Sequence, residues 1–129
     1  MNDGASIEPM TVHWDAPSQA VLLVFRGYAE GELLRRPCNA VIDLLIAKRS
    51  SRLLSDAREM KAMTQEDQRW IDEDWRPRAR IAGLRLSAVV VPKSVVAQLS
   101  LTAIAKKLDD LQYGYFSELD EARKWLKQM

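Results

Sequence analysis

Apolar side chains along this chain recur at two different periods, and between Thr64 and Pro92 the two follow one another directly. A charged segment carries Ile71, Trp75, Ala79 and Ala82 at spacings of four, four and three; then come Gly83 and the run LRLSAVVV. The first spacing lines one face of a helix. The second is the β-branched run of a strand covered on both faces. Thr64 is a good helix N-cap, Asp67 stands where a carboxylate reaches back to the cap's own N–H, and the helix is expected to start at Gln65. Glu66, Asp67, Asp72, Glu73 and Asp74 precede Arg76, Arg78, Arg80 and Arg85, an order that complements the helix dipole. Gly83 fits the left-handed residue that ends a helix.

The remaining segments read as cover for this helix and strand. Residues 1–10 are polar and are expected to be loose, with one domain over 11–129. Thr11 to Trp14 and Ala20 to Phe25 are short apolar runs separated by Asp15, Ala16, Pro17 and Ser18, the chemistry of a hairpin turn. Leu34, Cys38, Val41, Ile42, Leu45 and Ile46 repeat at helical spacing within 30–48; Pro37 must bend this helix or mark its true start. Arg52 to Leu54 reads as a strand and Ser55 to Met63 as a connection. After Pro92, Ser94 is expected to cap a helix with the stripe Ala97, Leu101, Ile104, Leu108 and Leu111. Tyr113 to Phe116 is the last strand; Ser117, with Asp120 in the box position, is expected to cap a final helix that shows Leu119, Ala122, Trp125 and Leu126 on one face. The order ββαβαβαβα predicts an α/β fold: a mostly parallel five-stranded sheet with one antiparallel hairpin at its N-terminal edge.

Composition removes several function classes. A formal net charge of +1 over 129 residues gives no field for nucleic acid or an anionic membrane surface. No apolar run approaches the ~20 residues needed to span a bilayer, and the N-terminus lacks the basic start and apolar core of a leader. The single cysteine, Cys38, excludes an intrachain disulfide and fits a reducing cytoplasm. The single histidine, His13, falls in a predicted edge strand beside Trp14 and is far in sequence from Cys38, so it is expected to be structural or merely exposed. Asp72, Glu73 and Asp74 are consecutive on a helix and point about 100° apart, so they cannot converge on one cation. Arg76, Arg78 and Arg80 spread around the same helix without a glycine-rich phosphate loop. The sequence therefore predicts no catalytic residue, no metal site and no cofactor.

The tryptophans are more informative. Of four in the chain, Trp75 lies on the apolar stripe and is expected in the core, whereas Trp70 sits about 100° away on the flank. A tryptophan off the core stripe is a candidate contact residue. Trp70, Glu66, Thr64 and Arg78 together form the predicted surface for a partner or ligand.

Several short motifs carry a family resemblance. Asp56 and Arg58 give "D-x-R"; Thr64 to Arg78 reads "T/S-x-E-D-x-x-W-I-x-x-x-W-x-P-R"; Gly83 precedes an apolar strand ending at Val91 and Pro92; Ala122 to Leu126 gives "A-x-x-W-L". With the hairpin and crossovers, these span Val12 to Lys127 and resemble a branch of small bacterial proteins in the STAS or SpoIIAA-like superfamily. The resemblance implies the fold above and a non-enzymatic regulatory or protein-binding role, with an unidentified protein or a second copy of this chain as partner. That fold is also related to lipid-carrying CRAL-TRIO domains, which makes a carrier of a small apolar ligand the alternative. The anti-sigma-factor antagonists of the superfamily open a helix with a "D-S-S-G" turn whose serine is phosphorylated. Registered on them, Thr64, Gln65, Glu66 and Asp67 occupy that turn and Glu66 replaces the acceptor serine, so the resemblance implies a member without the switch, Thr64 or Ser55 being the acceptor if the register slips.

Overall fold

The computed structural model describes residues 8–94, 96–100 and 111–129. Strands β1 (Met10–Asp15), β2 (Ala20–Phe25), β3 (Arg52–Asp56), β4 (Leu86–Val90) and β5 (Gln112–Phe116) form a five-stranded sheet in the order 1-2-3-4-5. β1 and β2 pair antiparallel, and every later neighbour is parallel. Between them run α1 (Glu32–Lys48), the central helix α2 (residues 65–81) and α3, described over 96–100; α4 (Leu119–Gln128) closes the chain.

Each parallel step moves one strand onward in the same direction, and right-handed crossovers then bring every connecting helix to the same face. Residues of α1, α2 and α3 accordingly share one core, in which Leu34, Val41, Trp75 and Ala97 meet Leu23 and Val89 of the sheet. The opposite face is left for α4, whose Ala122 and Leu126 pack on Ala20, Leu54, Ala88 and Val90. Gly114 is needed there: a Cβ would lie 2.8 Å from the Phe116 ring and 3.1 Å from that of Trp125. A strand order that never reverses has no switch point, the place where open α/β sheets ordinarily form a crevice. A site must therefore be sought on or under the helices.

The element order and sheet match the sequence-based expectation; several local details do not. α1 starts at Glu32 behind Gly31, and Pro37 lies inside it. The carbonyl that the missing N–H would have served belongs to Leu33, which is exposed and within reach of water. β3 continues through Ser55 and Asp56, because their pairing with Val89 and Val90 persists. Ser117 does not cap the last helix: the backbone is still extended at Glu118, which takes the N-cap position without a side-chain bond, and the Ser117 hydroxyl lies 3.5 Å from Glu121. The stripe positions Leu101, Ile104 and Leu108 lie outside the described residues.

Candidate functional site

The central helix begins as its sequence dictates: the Thr64 hydroxyl oxygen accepts the Asp67 N–H at 3.1 Å. The expected reciprocal bond does not form. The Asp67 carboxylate, 2% exposed, turns to α1, where it accepts the Gly31 N–H at 3.0 Å and lies 3.5 Å from Arg35 Nε. Gly31, at φ 58, adopts a conformation few other residues tolerate and presents its N–H to that carboxylate. One buried acid thus fastens the start of α1 to the first turn of α2.

Halfway along, α2 widens into a π turn over Ile71–Trp75 before resuming as Arg76–Ile81. Pro77 follows at once; it lacks an N–H, and its ring would clash with the carbonyl four residues back, a conflict that the wider turn relieves. Two successive residues, Trp75 and Arg76, are buried at this point. Trp75 Nε1 donates to the Cys38 carbonyl at 2.7 Å. Burial, helped by the Asp67 charge, pushes the Cys38 thiol up to about 12, so it is neutral and inert. The helix ends in paired bonds from Leu84 N–H to the Ala79 carbonyl and from Gly83 N–H to the Arg80 carbonyl, with Gly83 at φ 117, the closure its glycine predicts.

On the outer side, Glu66, Trp70, Asp74 and Arg78 form one ridge at successive intervals of four. It lies against Arg35 and Asn39 of α1, themselves four apart. Arg35 is 3.5 Å from Glu66, and its guanidinium lies 5.2 Å from the Trp70 ring centroid. The Arg78 guanidinium lies 5.8 Å from the same ring, pairs with Asp74 at 2.8 Å and donates to Asn39 at 2.9 Å. The Trp70 indole is half-buried at the edge of the core, held between two cations. Of the four predicted residues, Glu66, Trp70 and Arg78 come together here, whereas Thr64 stands at the head of the helix with its hydroxyl oxygen engaged in the cap. Arg35, Asn39 and Asp74 were missed. The interval of four would have found Asp74, but the other two depend on tertiary contact.

Beneath α2 lies a cavity of about 100 Å³. Its floor follows from strand register. Leu53 pairs with Ser87 and Ser87 with Tyr113; one step along, Leu23 pairs with Ser55, Ser55 with Val89 and Val89 with Tyr115. Cys38, Met63, Ile71 and Trp75 are among the other apolar residues that line it. Arg76 lines it too, 5% exposed and paired with Asp72 at 3.1 Å. Nothing in the periodicity of these segments distinguished Ser55 and Ser87 as cavity residues.

The other motif residues have structural partners. Arg58 clasps both Asp56 oxygens at 2.9 and 2.8 Å, and these bonds hold the Asp56 carboxyl below its ordinary range. The Arg58 carbonyl also accepts the Lys93 N–H, tying "D-x-R" to the segment after Pro92. His13 is exposed and bonded to Thr11. No group of metal-ligating side chains gathers among the described residues, and none of their helices is long and apolar enough to cross a membrane.

An unreversed parallel sheet with an antiparallel hairpin at one edge and helices on both faces defines a domain of STAS type. The SpoIIAA-like family model matches residues 23–127, and the chain belongs to the SpoIIAA-like family. This is a family of STAS-type regulatory and binding domains. No curated protein and no solved structure shows a significant match to the chain.

Proposed function

We propose that this protein is a non-catalytic binding module whose contact surface is the outer ridge of α2: Trp70 and Arg78, flanked by Glu66 and by Thr64 at the helix head. The observation that carries this reading is the half-buried indole clamped between Arg35 and Arg78. Tryptophan and arginine dominate binding hot spots, and side chains already fixed by ion pairs lose little freedom when a partner arrives. The partner is a protein, either a different chain or a second copy of this one. Binding is constitutive with respect to phosphorylation. Glu66, with a side chain 82% exposed, supplies a permanent negative charge where the resembling antagonists carry the acceptor serine.

Affinity capture from the native cells, with wild type and Trp70→Ala as baits, tests the surface. A protein enriched on wild type and lost on the variant supports it; identical captured sets contradict it. Phosphopeptide mapping from the same cells should find Thr64 and Ser55 unmodified, and substantial phosphate on either would contradict the absence of the switch. A second reading, a carrier of a small apolar ligand, draws support from the cavity under α2. Native mass spectrometry showing an apolar molecule bound after purification would favour it.

A further inference from the structure

The cavity under α2 is lined by two serines whose hydroxyls have no partner among the described residues. Ser55 and Ser87 sit on the helix-covered face of β3 and β4, at 8% and 6% exposure. Among the described residues neither hydroxyl makes a hydrogen bond. Neither oxygen is sealed off; both residues line the cavity. Burying a hydroxyl without a partner is unfavourable, and an apolar residue at either position would have filled the gap. On the sheet the two serines are diagonal neighbours on adjacent parallel strands, so one small molecule lying between them reaches both.

Size and charge narrow the ligand further. An apolar cavity of roughly 150 Å³ accepts benzene, and this one measures about 100 Å³. It is about two thirds of that size, so it takes at most one small ring or a short branched chain and is too small for a full acyl chain. Among the described residues the one charged side chain in its lining, Arg76, is paired with Asp72, which favours a neutral ligand over an ionic head group. We infer that the cavity binds a compact, neutral, largely apolar molecule carrying a hydroxyl or carbonyl group, which Ser55 and Ser87 recognise by hydrogen bonding. This inference rests on the second reading above, that the cavity is a ligand site.

The test uses the full chain labelled with ¹⁵N and titrated with phenol and with toluene, which differ by a hydroxyl in place of a methyl. Phenol should give saturable shifts in β3, in β4 and at the Trp75 indole. Ser55→Ala with Ser87→Ala should weaken phenol about three- to tenfold, the worth of one hydrogen bond, and leave toluene unchanged. Saturable toluene binding with no preference for phenol and no effect of the serine changes would overturn recognition by the serines while leaving the cavity as a ligand site. Failure of both probes to bind would overturn the inference and the carrier reading together. Should the double variant fold poorly, the preference of the wild type for phenol over toluene decides the same question.

Discussion

Asp67→Ala is the perturbation that most sharply separates this structure from a generic helix on a sheet. A solvated capping acid would be replaceable, but here the carboxylate is 2% exposed and accepts the Gly31 N–H at 3.0 Å. A hydrogen bond to a charged group contributes roughly 1.5–3 kcal/mol. The Arg35 pairing, at 3.5 Å with the arginine side chain 27% exposed, adds about 0.5–1 kcal/mol once solvent screening is allowed for. The sum is about 2–4 kcal/mol, or roughly 8–15 °C in Tm for a chain of this size. Thr64→Ala, which removes only the cap, should cost about 1 kcal/mol. Asp67→Asn keeps an acceptor oxygen and should fall between the two. Urea unfolding followed by circular dichroism gives all three values. If Asp67→Ala loses no more than Thr64→Ala, the buried tie between α1 and α2 does not hold the fold as described.

Acid should weaken the protein partly through Asp15. Burial raises its carboxyl pKa, but hydrogen bonds from Arg123 and Ser18 outweigh burial and leave it lowered, so the stabilisation is present above the unfolded value near 3.9 and is lost as pH falls through the folded value. Urea midpoints of Asp15→Asn should therefore change less than wild type between about pH 4 and 2; equal slopes would contradict the assignment. Cys38, with its thiol pushed up to about 12, should react with a disulfide reagent at pH 8 only as fast as the protein opens, and immediate labelling of the native chain would contradict its burial. Gly114→Ala places a methyl 2.8 Å from the Phe116 ring and should cost about 1–3 kcal/mol; an unchanged Tm would mean that α4 adjusts freely.

The fold was legible because its signals are local. The stripe through Trp75 and Ala79, the Gly83 stop and the alternation of strands and helices each survive without knowledge of any partner. What escaped were features created by one element meeting another. Asp67 reads as a capping acid until α1 offers it the Gly31 N–H, and no periodicity announces the π turn that forms before Pro77. Ser55 looked like a loop residue because a hydroxyl in a strand centre has no distinguishing period; pairing with Val89 placed it in the sheet. Three of the four ridge residues on α2 were legible for a related reason. Glu66, Trp70 and Arg78 lie on one helix, while Arg35 and Asn39 reach them from another.

The central claim is that Trp70 serves contact and Trp75, five residues on, serves the core, and paired melting of Trp70→Ala and Trp75→Ala tests it without a partner in hand. Trp75 is 7% exposed and bonded to the Cys38 carbonyl, so its loss should cost about 3–5 kcal/mol. Trp70 is half-buried, packs at the edge of the core and lies between two cations, so its loss should cost about 1–2 kcal/mol and lower Tm by only about 4–8 °C, with the transition still cooperative. Equal destabilisation by the two substitutions would assign Trp70 to the core and remove the proposed contact surface.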